Sequence, residues 1–140
     1  AVAYAKERYL PIYQDACPAE ERLYAALSEC EACLRGEAPS AERKAALQTL
    51  RQIALETNGA VAQAAARAIS TACAAAQTPT NAFGFLLYGA AAFAYHSAGL
   101  NAAQDAYDAL ATQELQRALA SLRSASVPGE AHPVKLRWNC

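Results

Sequence analysis

Apolar residues recur along this chain at spacings of three and four, the period of one face of an α-helix. Val2, Ala5, Tyr9 and Ile12 form the first stripe. Pro11 lies inside it and predicts a kink or a fresh start just before it. Leu23, Leu27, Cys30 and Leu34 form the second stripe, opened by Cys17-Pro18-Ala19-Glu20-Glu21 and stopped by Gly36. A third helix starts at Ser40, turns Leu47, Leu50, Ile53 and Ala54 inward, and keeps Glu42, Arg43, Lys44, Arg51 and Glu56 wet. Thr57-Asn58-Gly59 is a turn, and the fourth helix follows over residues 60–76. Its heavier face is Val61, Ala65, Ala68, Ile69, Ala72 and Cys73.

The fifth stretch, residues 80–99, holds no charge. Thr80 or Asn81 starts it after Pro79, and Gly99 stops it. Phe83, Leu87, Ala90 and Ala94 share one face, and Gly84, Tyr88, Ala91 and Tyr95 another. A helix apolar nearly all round reads as a buried central helix. The sixth is capped by Asn101, with Gln104 three residues on. Tyr107, Leu110, Ala111, Leu115, Ala118, Leu119 and Leu122 are its predicted core face, with Glu114, Gln116, Arg117 and Arg123 outward. The expected fold is therefore all-α: one bundle of about six antiparallel helices over residues 1–124, with a central apolar helix near 80–98. Residues 125–140 read as an extended tail packed on or near the bundle, where Val134 to Cys140 alternate and Trp138 packs in a groove between helices.

Composition narrows the functional classes. Alanine dominates, which favours helices in close approach. A formal net charge of −1 gives no general grip on nucleic acid or anionic lipid. The apolar run 82–95 is shorter than the roughly 20 residues a membrane span requires. The opening Ala1-Val2-Ala3-Tyr4 has neither an initiator Met nor a leader pattern and reads as a trimmed N-terminus. Five cysteines at irregular spacing make a poor disulfide framework, and reduced thiols in a cytoplasmic protein are the expected state.

Candidate chemistry is sparse. Cys30 and Cys33 have the spacing of a redox couple or half a zinc site, yet no second cysteine pair or nearby His completes it, so they read as packing residues. His96 with Tyr88 and Tyr95 on the fifth helix is the candidate ligand pocket, against a plainer role for His96 at its helix end. There is no paired-carboxylate helix motif, phosphate loop or nucleophile elbow. No cofactor and no catalysis are expected.

Tyr4-Ala5-Lys6-Glu7-Arg8-Tyr9-Leu10-Pro11-Ile12-Tyr13 resembles the Ala-Glu-Arg-x-Leu-Pro-x-aromatic segment of a family of small Ala-rich helical immunity proteins of bacterial polymorphic-toxin systems. The Pro-led segment Cys17-Pro18-Ala19-Glu20-Glu21-Arg22, the Arg35-Gly36-Glu37 stop and the stretch from Asn81 to Ala91 follow in the family's order. Two positions depart from it: the proline after Arg22 is missing, and Asn81 stands where a His is common. The resemblance implies a protein that protects its producer by binding a cognate toxin. Inhibitors of nucleases commonly present acids, so Glu29, Glu31, Glu37 and Glu42 on the second and third helices are the candidate partner-binding surface. The alternatives are a small-ligand or metal-binding bundle, using Tyr88, Tyr95 and His96 or Cys30 and Cys33, and a structural subunit that forms homo-oligomers through small-residue helices.

Overall fold

The computed structural model describes residues 1–133. Among them are six helices and no strand: α1 (Val2–Ala16), α2 (Glu21–Leu34), α3 (Ser40–Glu56), α4 (Ala60–Ala75), α5 (Asn81–Ala98) and α6 (Gln104–Ala125). Residues 126–133 are exposed. The expected packing of Trp138 and the alternation from Val134 onward lie outside the described residues. No helix among the described residues is long and apolar enough to cross a membrane.

The most deeply buried helix is α4. Ala64, Ala65, Ala66, Ala68, Ile69, Ala72, Cys73 and Ala74 are all buried, on every side of it. Alanine makes this feasible, because a methyl side chain lets neighbours approach the helix axis from several directions. α1, α3 and α5 all pack against it, and α6 covers α5. α5 is apolar and well packed between α4 and α6, yet Phe83, Leu87 and Tyr88 stand at the surface. The all-round burial expected of the fifth helix thus belongs to the fourth.

α1 does not rest mainly on its sequence neighbour α2 but crosses to α4 and α5. Pro11 sits inside a continuous α1 on its exposed side, where its missing N–H weakens the helix without opening the core. Gly89 of α5 makes this crossing tight: a Cβ there would lie 2.1 Å from Tyr9 Cζ. Tyr13 is buried and shares a 3.3 Å hydrogen bond with Thr57, whose hydroxyl donates to the Ile53 carbonyl at 2.7 Å and finishes α3.

Two helix starts fall later than the sequence signals suggest. Pro18 stands in a turn and α2 begins at Glu21, because the Glu20 carboxylate accepts from the Arg22 N–H and caps the helix there. Asn101 also precedes its helix, which begins at Gln104. The stop at Gly99 is as predicted, with φ of 74° and its N–H on the Tyr95 carbonyl. Tyr107 holds the α5–α6 turn closed: its hydroxyl donates to the Gly99 carbonyl at 2.7 Å and accepts from the Ala102 N–H at 3.1 Å.

Candidate functional site

Charged side chains in this molecule fall into two sets, those neutralised inside the fold and those left open. The first set centres on Glu114, an outward residue by its sequence pattern and in fact only 1% exposed. It shares the inward arc of α6 with Ala111 and Ala118, three residues before and four after it. Tyr4 donates to its Oε1 at 2.9 Å and Arg8 to its Oε2 at 2.9 Å, while Arg117 lies 3.5 Å from the same oxygen. The Arg8 and Arg117 guanidinium groups lie 5.2 and 5.8 Å from the Phe93 ring centre. Tyr4, Tyr9 and Phe85 close the cluster from below, with ring centres 5.7 to 5.9 Å apart. Burial first, then the hydrogen bond to Glu114, pushes the Tyr4 ionisation up to about 12. Burial first, then the nearby Glu114 charge, also raises Tyr9, whose buried hydroxyl makes no well-formed hydrogen bond among the described residues. This cluster pins the first helix to the last. Phe85 also borders a small apolar cavity of about 180 Å³ between α5 and α6.

The acids expected to face a partner divide in two. Glu31 is held by Lys6 at 2.6 Å and lies 3.8 Å from Arg35, and Glu37 lies 3.5 Å from the same Arg35. Glu29 and Glu42 are in none of the ion pairs among the described residues. The candidate ligand residues find three separate partners. Tyr88 lies 5.6 Å under the Arg67 guanidinium, Tyr95 meets Tyr107 edge-on at 5.4 Å, and His96 Nε2 is 3.8 Å from Asp15 Oδ2 at the end of α1. Only Tyr88 of the three lines a groove described below.

Cys30 and Cys33 are also separated by the packing. Cys30 turns into the core and meets Cys73 of α4, and this contact together with burial pushes the Cys73 thiol up. Cys33 turns out and donates to the Pro39 carbonyl at 3.4 Å. Among the described residues no group of three or more His, Cys, Asp or Glu side chains gathers as metal ligands would.

Four cations without a carboxylate partner among the described residues lie between α3 and α4. Arg43, Lys44, Leu47 and Arg51 line a groove of about 430 Å³ that ends at Gln77. Arg51 also borders a second groove, of about 470 Å³, walled by Leu55, Arg67, Thr71 and Tyr88. Gln77 sits by the start of α3, and Arg67 by its end, so α3 and α4 run in opposite directions. Residues 43, 44, 47, 51 and 55 fall on one face of α3, and the two grooves adjoin at Arg51, which lines both; together they are the α3–α4 channel. The periodicity marks Arg43, Lys44 and Arg51 as a wet face but says nothing of Arg67, which joins them only through the α3–α4 pairing.

A family model described as Imm-5 like putative immunity protein matches residues 1–122, which takes in α1 to α5 and most of α6. No curated protein and no solved structure matches the chain.

Proposed function

The chain belongs to the family of Imm-5 like putative immunity proteins, and from that premise we propose that it neutralises a cognate toxin of a bacterial polymorphic-toxin system by binding it, with no catalytic step of its own. The observation that carries the reading is the extent of the family match, which spans nearly the whole helical body rather than one motif. The charge layout supports it. Among the described residues the carboxylate with the most hydrogen-bonding partners, Glu114, is sealed into the α1–α6 junction, where it holds helices together. What the molecule offers outward is relief and charge, the means of a binding protein. Free thiols at Cys17, Cys30, Cys33 and Cys73 suit action inside the producing cell, before the toxin leaves it.

The test is protection. The genes beside this one in the source genome are read for a toxin candidate, and that candidate is expressed in a sensitive host with and without this chain. Growth is restored only with the chain, and the two proteins co-elute on size exclusion. A soluble, folded chain that neither restores growth nor binds that product removes the proposal.

A further inference from the structure

Every described cation outside one region either faces a carboxylate or stands alone at the end of α6. Lys6, Arg8, Arg22, Arg35 and Arg117 each have a carboxylate partner. Arg43, Lys44, Arg51, Arg67 and Arg123 have none among the described residues, and the first four line the α3–α4 channel. Among the described residues no carboxylate lines either groove. Among the described residues the Nε atoms of both Arg43 and Arg8 are buried without a hydrogen-bond partner, so it is the missing carboxylate that sets Arg43 apart from Arg8.

The channel is also apolar in part. Leu55 is 72% exposed, a large aliphatic side chain with no cover, and Tyr88 stands opposite it beneath Arg67. Apolar shelf and open guanidinium groups therefore share one groove. From residue 43 to residue 55 the α3 face is about 18 Å long at the α-helical rise. An extended peptide of about six residues covers that length.

We propose that this channel is a docking site for an acidic segment of a protein partner, one that sets carboxylates against Arg43, Lys44, Arg51 and Arg67 and lays an apolar side chain between Leu55 and Tyr88. The inference deepens the toxin-binding reading and rests on the chain being a binding protein. It moves the contact from the α2–α3 acids to the opposite charge. A nucleic acid is the weaker occupant, because four cations beside an exposed leucine on a chain of net charge −1 do not make a phosphate track.

The probe is a short fluorescein-labelled peptide of Asp and Glu around a central Trp-Leu pair, followed by anisotropy on the whole chain. Its counterpart has Asn and Gln in place of the acids, and a double-stranded oligonucleotide is the competitor. The acidic peptide is expected to bind at least about tenfold tighter than the neutral one. K44E/R51E, both at exposed positions, weakens it about a hundredfold, since reversed charges repel the ligand. R51Q/R67Q gives a smaller loss, and R123E, an open cation outside the channel, leaves binding unchanged. Circular dichroism establishes that each variant is folded. Equal binding of the two peptides, no binding of either, stronger competition by the oligonucleotide, or wild-type affinity in K44E/R51E each overturns the proposal. Failure of growth protection with groove binding intact removes the toxin reading and spares the channel, whereas protection without groove binding does the reverse.

Discussion

Arg8 and Arg67 meet aromatic rings in nearly the same way, 5.2 Å from the centre of Phe93 and 5.6 Å from that of Tyr88. Beyond the ring their surroundings diverge. Arg8 also finds a buried carboxylate 2.9 Å away, and the three groups lock α1 to α6. Arg67 finds no carboxylate, and its ring forms one wall of an open channel. The same pair of residue types is a strut where the fold supplies the anion and a receptor where the anion is left out. What distinguishes them is the third partner, so substitutions that remove or reverse charge should separate the two regions cleanly.

The largest expected effect is at the strut. E114A leaves Arg8 without its carboxylate and Tyr4 without its acceptor, and should lower stability by about 3–5 kcal/mol in urea unfolding. E114Q keeps an acceptor oxygen and should lose less. An E114A variant with the wild-type midpoint would mean that the cluster is not holding the junction. G89A comes next. Its Cβ would overlap the Tyr9 ring, which has no free space to move into, so a loss of about 2 kcal/mol follows.

The same junction sets an alkaline limit. The Tyr4 ionisation is raised from 10.0 to about 12 in the fold, so its contribution is complete below pH 10 and disappears as pH climbs through 12. Helical signal should fall together with the rise of phenolate absorbance in that window, and Y4F should flatten the dependence. Tyr9 sharpens the point by contrast: its hydroxyl makes no well-formed hydrogen bond among the described residues, so Y9F should leave stability within about 0.5 kcal/mol or raise it slightly. The smallest effect belongs to the channel. K44E/R51E should change unfolding by no more than about 0.5 kcal/mol, so loss of binding in that variant is not loss of fold.

Much of this architecture is legible in the sequence. Leu23, Leu27 and Cys30 are buried as their spacing requires, and so are Leu47, Leu50, Ile53 and Ala54, whereas Leu34, the last of the second stripe, is exposed at the end of its helix. Their helices have one covered side and one wet side, so periodicity alone identifies the core face. α6 shows where that logic ends. Its leucines 115, 119 and 122 remain exposed while Glu114 is sealed. Periodicity tells which residues share a face, but the width of the arc a neighbour covers depends on the neighbour. Nothing near Glu114 in sequence announces Tyr4 and Arg8, which lie more than a hundred residues away. The burial of α4 is hidden from its pattern for a related reason. Alanine carries little hydrophobic weight in a pattern, yet its size is what allows packing on all sides. The channel has the same origin, since Arg67 joins Arg43, Lys44 and Arg51 only once α3 and α4 lie side by side.

The α1–α6 junction also has a bearing on how the chain is made. Tyr4 meets Glu114 across 110 positions, and α1 rests chiefly on α4 and α5. During synthesis the first helix emerges with its apolar stripe and Arg8 facing water. Its seat on α4 and α5 becomes available only when they have left the ribosome, and its carboxylate later still. α2 and α3, which pack on each other, can pair early. Such long-range closure slows the final step of folding. A nascent chain of this protein is therefore complete in most of its helices before it is complete in its first.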